Sequence, residues 1–319
     1  MWGLEKVSVQ ENNQQNQKIQ QDIQQYGHKI KSFLLEVNQL ILDKPQQTKL
    51  ALTCLLAGGH VLFEDLPGLG KTTLASALAR LTGLQFQRIQ FTNDMLASDV
   101  IGINMFNQKE HLFEFKKGPI FTQILLADEI NRCSPKTQSA LLEAMEEGAV
   151  TVDGVHYELP QPFWVLATQN PLFQSGTYAL PESQLDRFLM RLSLGYPSRQ
   201  AEKLLLQQSS RHVLIHQLVA VFDQADILHL RSLAQQVFLS NAVLNYILDL
   251  AAETRKQRHG LSTRGVLALK AASQAHALVE GRSFVTTDDV QAVFVAVVAH
   301  RLSLTEVEAK QILPLVDVL

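Results

Sequence analysis

The sequence Glu-Asp-Leu-Pro-Gly-Leu-Gly-Lys-Thr-Thr occupies residues 64–73, between an apolar run at residues 60–63 and a helical pattern that begins at Leu74. A glycine-rich turn between a strand and a helix lets backbone N–H groups surround phosphate oxygens, and the helix N-terminus adds the positive end of its dipole. Lys71 would reach the β- and γ-phosphates of ATP, and the Thr72 hydroxyl would bind Mg²⁺. The residues predicted to bind the nucleotide are Asp65, Leu66, Pro67, Gly68, Leu69, Gly70, Lys71, Thr72 and Thr73.

One residue departs from the phosphate-loop pattern GxxxxGK[ST], which has glycine where this chain has Asp65. Asp is among the few residues that tolerate a positive φ, so the turn can still form. A negative charge beside phosphates is unfavourable unless the side chain turns away, for example to accept a hydrogen bond from a loop N–H. Asp65 therefore raises a question about nucleotide affinity. The alternative for the whole stretch is an ordinary surface turn that precedes a lysine.

The composition excludes several classes of protein. The 319 residues are 46% hydrophobic and 18% charged, which is typical of a folded protein long enough for two domains. A formal net charge of −3 gives no general attraction for nucleic acid, so no nucleic-acid partner is expected. The two cysteines, Cys54 and Cys133, are interpreted as buried thiols. No apolar run approaches the roughly 20 residues of a membrane span, and no secretory signal is recognisable. We therefore expect a cytoplasmic protein.

Apolar runs separated by helical patterns predict a parallel sheet covered on both faces. The runs lie at residues 60–63, 84–91, 124–127 and 163–167, and residues 150–159 predict a β-hairpin around Asp153-Gly154. After residue 197 only helical patterns remain. We therefore predict an α/β nucleotide-binding domain at residues 35–197 and an all-α domain at residues 198–319, preceded by a glutamine-rich segment and helix at residues 1–34.

The N-terminal region divides into two parts. Residues 1–18 are rich in Gln and Asn and are expected to be mobile in isolation. From Ile19 an apolar stripe with alternating spacings of four and three predicts a helix, which Pro45 is expected to end. The stripe could form a coiled coil with a partner, but it lasts only about three heptads. Packing against the chain's own body is therefore the favoured interpretation.

Polar residues follow two of the predicted strands. Asp128 and Glu129 come at the carboxyl end of a buried strand, the edge of an open α/β sheet where ligands bind. Asp128 can hold Mg²⁺, and Glu129 can polarise the water that attacks the γ-phosphate. Asn170 ends the next strand and could orient that water, although Asn before Pro is also a common turn former.

Two arginines could stabilise the charge that develops during phosphoryl transfer. Arg187 follows a predicted helix, and Arg264 opens a helix of the second domain. From spacing alone, a surface or ion-paired arginine remains the better interpretation of each.

Six blocks together resemble the MoxR family of AAA+ ATPases, in the order in which the family has them, over about residues 35–302. The blocks are DLPGLGKTTLA, FTNDMLASDVIG, FEFKKGPIF, ILLADEINRCSPKTQSALLEAMEEG, VLATQNPLFQSGTYALPESQLDRFLMRLSLGYPSR and FVTTDDV. The resemblance implies a AAA+ module with a helical lid that works as a ring, usually a hexamer. It also implies a client protein and a partner with a von Willebrand factor type A domain.

The resemblance also implies roles for individual residues. Lys71 and Thr72 match the Walker A pair, and Asp128 and Glu129 match the Walker B pair. Three further matches are Asn170 as sensor 1, Arg187 as the arginine finger that acts on the neighbouring subunit, and Arg264 as the sensor 2 arginine of the lid. Residues 92–115 match the insert in the second helix, and residues 150–159 match the hairpin before sensor 1; in such rings both face the pore or the client.

Three functions are consistent with these residues. The first is a chaperone-like ATPase that remodels, activates or assembles a client protein complex. The second is a DNA-acting AAA+ motor subunit, against which the acidic balance argues. The third is a scaffold that binds ATP but scarcely hydrolyses it, an alternative that Asp65 keeps open and that Glu129 counts against.

Overall fold

The fold was analysed in a computed structural model that describes residues 2–170, 176–207, 211–256 and 260–318. The side chains of residues 2–17 and 211–213 are outside this description. The helices are α1 (Trp2–Leu40), α2 (Pro45–Leu56), α3 (Lys71–Thr82), α4 (Ala97–Ile101), α5 (Pro135–Glu147), α6 (Glu182–Leu185), α7 (Arg199–Gln207), α8 (Arg211–Gln217), α9 (Gln224–Gln236), α10 (Asn241–Arg255), α11 (Thr263–Val279), α12 (Thr287–Val298) and α13 (Glu306–Ile312). The strands are β1 (His60–Glu64), β2 (Phe86–Gln90), β3 (Gly102–Asn107), β4 (Leu112–Lys117), β5 (Ile124–Asp128), β6 (Ala149–Val152), β7 (Val155–Glu158), β8 (Trp164–Gln169) and β9 (Phe188–Leu192).

A five-stranded parallel sheet in the order β2-β5-β8-β1-β9 forms the centre of the first domain. The predicted parallel sheet is confirmed, and β9 is an additional strand that the sequence patterns did not predict. Alternate residues of β5 face opposite layers, as strand geometry requires. Leu125 and Ala127 pack in the cluster that includes α5, whereas Leu126 packs in the cluster that includes α2 and α3. Both faces of the sheet are therefore covered.

Two hairpins project from this domain. β3 pairs with β4 directly after α4, and β6 pairs with β7 through a turn in which Asp153 has a φ of 51°. The second hairpin confirms the prediction at residues 150–159. The hairpins contact each other through the stacked rings of Phe115 and Tyr157, whose centroids are 4.1 Å apart. Asn104 also donates a hydrogen bond of 2.7 Å to the Asp153 carboxylate.

From α7 onwards the named elements of the described residues are all helices, so the predicted helical class of this region is confirmed, while its boundary at residue 198 stays a prediction. α11 packs against α12, α9 and α2, which links this domain to the first one. Within the domain, Asp289 is fully buried and binds Arg282 through both carboxylate oxygens and His276 Nδ1 at 2.7 Å. Burial alone would raise the pKa of Asp289, but these partners hold it well below its usual value.

Helix α1 is one continuous helix that packs on the chain's own body. Ile30, Phe33 and Val37 of its apolar stripe are buried in the same cluster as α2 and α3. Packing on the body was the favoured interpretation of this stripe. The expected end at Pro45 is wrong, because α1 ends at Leu40 and Pro45 is the first residue of α2, a position that suits its missing N–H. The predicted boundary after residue 34 falls inside α1.

Cys54 and Cys133 are both buried free thiols, and burial raises the pKa of each to about 12. Among the described helices, none combines the length and the apolar character needed to cross a membrane.

Candidate nucleotide-binding site

The loop between β1 and α3 has the backbone shape of a phosphate cradle. Gly68 and Gly70 have φ values of 84° and 91°, which residues other than glycine rarely adopt. A Cβ added at Gly68 would meet no heavy atom within 4 Å, so the space over the loop is open. Lys71 begins α3, and the free N–H groups of its first turn therefore adjoin that space. These residues fit the phosphate groups of a nucleotide.

Lys71 is buried beneath the loop. Its Nζ donates hydrogen bonds to the carbonyl oxygens of Asp65 at 2.9 Å and Leu66 at 2.8 Å. Burial lowers the pKa of Lys71, and the nearby carboxylates of Asp65, Asp128 and Glu129 oppose that effect. The ammonium is thus surrounded by negative groups and held inside the loop.

The Asp65 carboxylate points away from the phosphate space. It accepts hydrogen bonds from Ser193 Oγ at 2.7 Å, Leu194 N at 2.7 Å and Gly195 N at 3.1 Å, all in the segment after β9. Asp65 is therefore held by loop N–H groups, the arrangement that would keep its charge from phosphates. Asp65 does not adopt the positive φ that Asp tolerates, because within this loop only Gly68 and Gly70 have one.

Asp128 and Glu129 lie opposite the loop, at the carboxyl end of β5. Asp128 accepts a hydrogen bond of 2.6 Å from the Thr168 hydroxyl, and its second oxygen pairs with Arg88 at 2.6 Å. Glu129 has a φ of 56°, and its carboxylate accepts from Gln90 at 2.8 Å and pairs with Arg132 at 2.9 Å. Both acids are thus held in place by residues of neighbouring elements.

Asn170 follows the tip of β8, between Asp128 and the loop. The preceding residue, Gln169, donates a hydrogen bond of 2.7 Å to Glu64, which also pairs with Arg191 at 3.0 Å. These contacts tie the tips of β8, β1 and β9 together. Asn170 therefore stands on a fixed strand end.

These residues enclose one cavity of about 480 Å³, within the usual size range of small-molecule sites. Its lining residues are Asp65, Pro67, Gly68, Gly70, Lys71, Thr72, Thr73, Arg88, Gln90, Asp128, Glu129, Thr168, Gln169 and Asn170. The structure therefore brings together the predicted loop, the two acids and Asn170. Leu66 and Leu69 are loop residues that do not line the cavity, although the Leu66 carbonyl contacts Lys71.

The two predicted arginines do not line this cavity. Arg187 and Arg264 both pair with Glu146, near the end of α5. Arg187 also donates to the Leu142 carbonyl at 3.1 Å, and Arg264 lies 3.8 Å from the Asp186 carboxylate. The structure brings the arginines to each other and not to the loop of their own chain.

Comparison with known proteins agrees with this fold. Residues 60–190 match the model of the ATPase family associated with various cellular activities (AAA), and residues 250–315 match an AAA lid domain. Chaperone MoxR1 of Mycobacterium tuberculosis is 38% identical over 290 residues, which are 87% of this chain and 76% of that protein. The chain belongs to the MoxR family of AAA+ ATPases.

Other similarities span most of this MoxR-family chain. The uncharacterized protein YeaC of Bacillus subtilis is 47% identical over 84% of the chain and 85% of that protein. The crystal structure of a putative ATPase from Cytophaga hutchinsonii has a TM-score of 0.86 and 34% identity, over 95% of this chain and 98% of that one. An MCM homolog from Methanopyrus kandleri has a TM-score of 0.58 and 16% identity, over 90% of this chain and 60% of that one. This last likeness concerns the fold alone.

Four cavity residues of this MoxR-family chain were missed by sequence reasoning: Arg88, Gln90, Thr168 and Gln169. Arg88 and Gln90 alternate along β2, an edge strand in which only Ile89 is buried. That alternation could have indicated a polar face of β2 beside the end of β5, where Asp128 lies. Thr168 and Gln169 immediately precede Asn170, so the same strand-tip argument could have included them.

Proposed function

We propose that this MoxR-family chain hydrolyses ATP to ADP and phosphate and uses that reaction to remodel, activate or assemble a client protein complex. The observation that carries the proposal is the single cavity in which the phosphate loop faces two carboxylates and an amide at the carboxyl ends of adjacent strands. Phosphoryl transfer needs this combination of a phosphate cradle, a metal-binding acid and a group that activates water.

Six residues of the cavity have proposed roles. Lys71 would exchange its loop carbonyls for the β- and γ-phosphates. Thr72 and Asp128 would hold Mg²⁺, which neutralises charge on the phosphates when it is bound. Glu129 would accept a proton from the attacking water, and Asn170 would orient that water. Arg88 already neutralises Asp128, so metal binding and the Arg88 pair compete for the same carboxylate.

The arginines support a ring in which each site is completed by the next subunit. Arg187 and Arg264 are held together on Glu146 and lie outside the cavity of their own chain. We propose that both contact ATP bound to a neighbour, in a homo-oligomeric ring of six subunits. This arrangement would couple hydrolysis to assembly, because an isolated subunit would lack the cations that stabilise the transition state.

The hairpins provide a surface for a client. Phe106, Leu112 and Phe113 of the β3–β4 hairpin expose between 51% and 72% of their surface. Exposed apolar side chains of this kind mark interaction sites. We propose that the hairpin contacts the client protein, and that a protein with a von Willebrand factor type A domain is a further partner. The name of the M. tuberculosis relative, a chaperone, is consistent with this role.

Phosphate release by the purified chain, followed with ATP and Mg²⁺, tests the enzymatic proposal. Lys71→Ala should abolish tight ATP binding, because the phosphates lose their main cation. Glu129→Gln should retain binding but lower hydrolysis by a factor of about 100 or more, since general base catalysis contributes about 10²–10⁴-fold. Glu147→Gln, at an exposed residue of α5 that does not line the cavity, is the control and should retain turnover.

Two outcomes would contradict the proposal. Retained ATP affinity in Lys71→Ala would place the nucleotide elsewhere, and unchanged turnover in Glu129→Gln would remove the proposed water-activating group. Capture of proteins on the Glu129→Gln variant, compared with the same variant carrying Phe113→Ser, tests the client surface. Stimulation of hydrolysis by duplex DNA but not by a captured protein would favour the DNA-acting alternative instead.

A further inference from the structure

The two arginines outside the cavity belong to a row of five alternating charges. Arg187 and Arg264 contact different oxygens of Glu146, with Arg264 Nη2 2.8 Å from Oε1. Arg264 also approaches Asp186 at 3.8 Å, and Asp186 pairs with Arg301 Nε at 2.7 Å. The row therefore alternates from Arg187 through Glu146, Arg264 and Asp186 to Arg301, and crosses from the first domain to the helical domain.

One end of the row is firmly fixed. The Arg301 side chain is only 5% exposed. Besides Asp186, it donates to the carbonyl oxygens of Phe188 at 2.8 Å and Leu189 at 3.0 Å, and to that of Val297. A guanidinium that makes this many hydrogen bonds is rigid, because its planar fork fixes several donors at once. Asp186 is thereby held at a fixed position beside Arg264.

The other end of the row depends on Glu146. Arg187 and Arg264 carry like charges and contact the same carboxylate. Without that carboxylate between them, the two guanidiniums would repel each other. Glu146 offers one oxygen to each, so a single residue fixes both guanidiniums. With Glu146 removed, Arg187 would keep only the Leu142 carbonyl among the contacts described above, and Arg264 only the longer contact with Asp186.

We propose that Glu146 is a positioning residue that holds Arg187 and Arg264 as one preorganised pair for the phosphates of ATP bound to the neighbouring subunit. The inference rests on the proposed function, because it requires that both arginines act on a neighbour. Two cations held in one geometry meet the spread charge of a transferring phosphoryl group without a further ordering step. Glu146 itself is not among the residues that line the nucleotide cavity.

Glu146→Gln removes the charge at nearly constant volume, and Glu147→Gln, the next residue on α5 and an exposed one, is the matched control. Because small misplacements of catalytic groups can lower rates about 100-fold, we expect Glu146→Gln to lower kcat about 10- to 100-fold. Its KM, its ATP affinity and its thermal unfolding, followed by fluorescence of the buried Trp164, should match those of Glu147→Gln.

Mixing subunits separates a positioning role from a structural one. A Glu146→Gln subunit keeps an intact cavity, and a Glu129→Gln subunit keeps an intact arginine pair. A mixture of the two should therefore hydrolyse ATP faster than the two proteins measured separately. The Arg187→Ala variant mixed with Glu129→Gln should show the same gain and reports on the neighbour arrangement alone.

The outcomes test the role of Glu146 separately from the proposal that the arginines act on a neighbouring subunit. Mixing with Glu129→Gln could raise ATP hydrolysis for Arg187→Ala but not for Glu146→Gln. That result would overturn the role of Glu146 while leaving the neighbour arrangement intact. A kcat of Glu146→Gln equal to or above that of the control would also overturn it, since Glu146 would then be neutral or restraining. Absence of a gain with Arg187→Ala would refute the neighbour arrangement itself, and the positioning role with it.

Discussion

Replacement of Asp65 by alanine tests whether this acid anchors the phosphate loop or merely repels phosphate. Asp65 is only 5% exposed, and its carboxylate accepts three hydrogen bonds, from Ser193, Leu194 and Gly195. These donors lie about 130 residues away in sequence, after the edge strand β9. The side chain therefore joins the start of the loop to the segment that follows the neighbouring edge strand, and Asp65→Ala removes that connection completely.

The expected loss of stability in Asp65→Ala follows from the hydrogen-bond donors that would lose their partner. A hydrogen bond to a charged group contributes about 1.5–3 kcal/mol, and a buried donor without a partner costs about 1–3 kcal/mol. Leu194 is 1% exposed, so its N–H would lose its partner without access to bulk water. The Ser193 hydroxyl can rotate to another partner and contributes less. We therefore expect Asp65→Ala to lower the free energy of unfolding by about 3–5 kcal/mol, and Asp65→Asn, which keeps one acceptor oxygen, by about half as much.

Urea unfolding measures this change directly. Trp164 is fully buried in β8, so its fluorescence reports the packing of the sheet, and a Trp2→Phe background makes it the only tryptophan. The expected result is a lower urea midpoint with an unchanged slope, which indicates lost stability and not a changed unfolded state. ATP affinity should fall in the same variant, because the Asp65 and Leu66 carbonyls position Lys71.

The competing explanation makes the opposite prediction. If the Asp65 charge mainly opposed the phosphates, its removal would tighten ATP binding and leave the urea midpoint where it was. That result would refute the anchoring argument. Glu147→Ala serves as the control for loss of one negative charge, since this residue is exposed on α5 and remote from the hydrogen bonds of Asp65.

Three further predictions concern other parts of the chain. Arg88→Gln should lower the Mg²⁺ concentration needed for half-maximal ATP binding by up to about fivefold, because the half-exposed Arg88 pair on Asp128 is worth about 1 kcal/mol or less; a rise would place Arg88 on the phosphates instead. Burial lowers the pKa of His60 to about 4, so His60 becomes protonated at a lower pH in the folded state than in the unfolded state. The contribution of His60 to stability should therefore fall by about 3 kcal/mol as the pH drops from about 6.5 to 4, and His60→Gln should make the urea midpoint less dependent on pH over that range. A double-mutant cycle of Phe115→Ala and Tyr157→Ala should give a coupling energy of about 1 kcal/mol, and a value near zero would mean that the two hairpins move independently.

Much of the sheet was predictable because its inner strands are continuous apolar runs that end in polar residues. β5 and β8 have this pattern, and their tips hold Asp128 and Asn170. Strand β9 was not predicted because it follows α6 after only two residues and contains Arg191, which pairs with Glu64. The β3–β4 hairpin lacks the alternation of a half-buried strand, since both of its faces are largely exposed.

The site was predictable wherever local chemistry determined the role of a residue. The phosphate loop and the two acids follow directly from strand–turn–helix order. The position of the Asp65 carboxylate depends instead on contacts with residues far along the chain, which no local pattern contains. The same holds for Glu146, whose importance is visible only once Arg187 and Arg264 are found on it.

Lys71 in the phosphate loop and the two arginines on Glu146 share one property that bears on mechanism. Each cation proposed to meet phosphate already has an internal partner: Lys71 has two loop carbonyls, and Arg187 and Arg264 have Glu146. At Lys71, ATP would replace the two carbonyl contacts, and the net gain is the difference between the two sets of interactions. For Lys71 the exchange occurs within one chain, so it affects nucleotide affinity. The arginines would keep Glu146 while they contact ATP on a second subunit, so under the proposal they affect turnover only in an assembled ring. Binding and hydrolysis should thus depend on separate sets of residues in this chain.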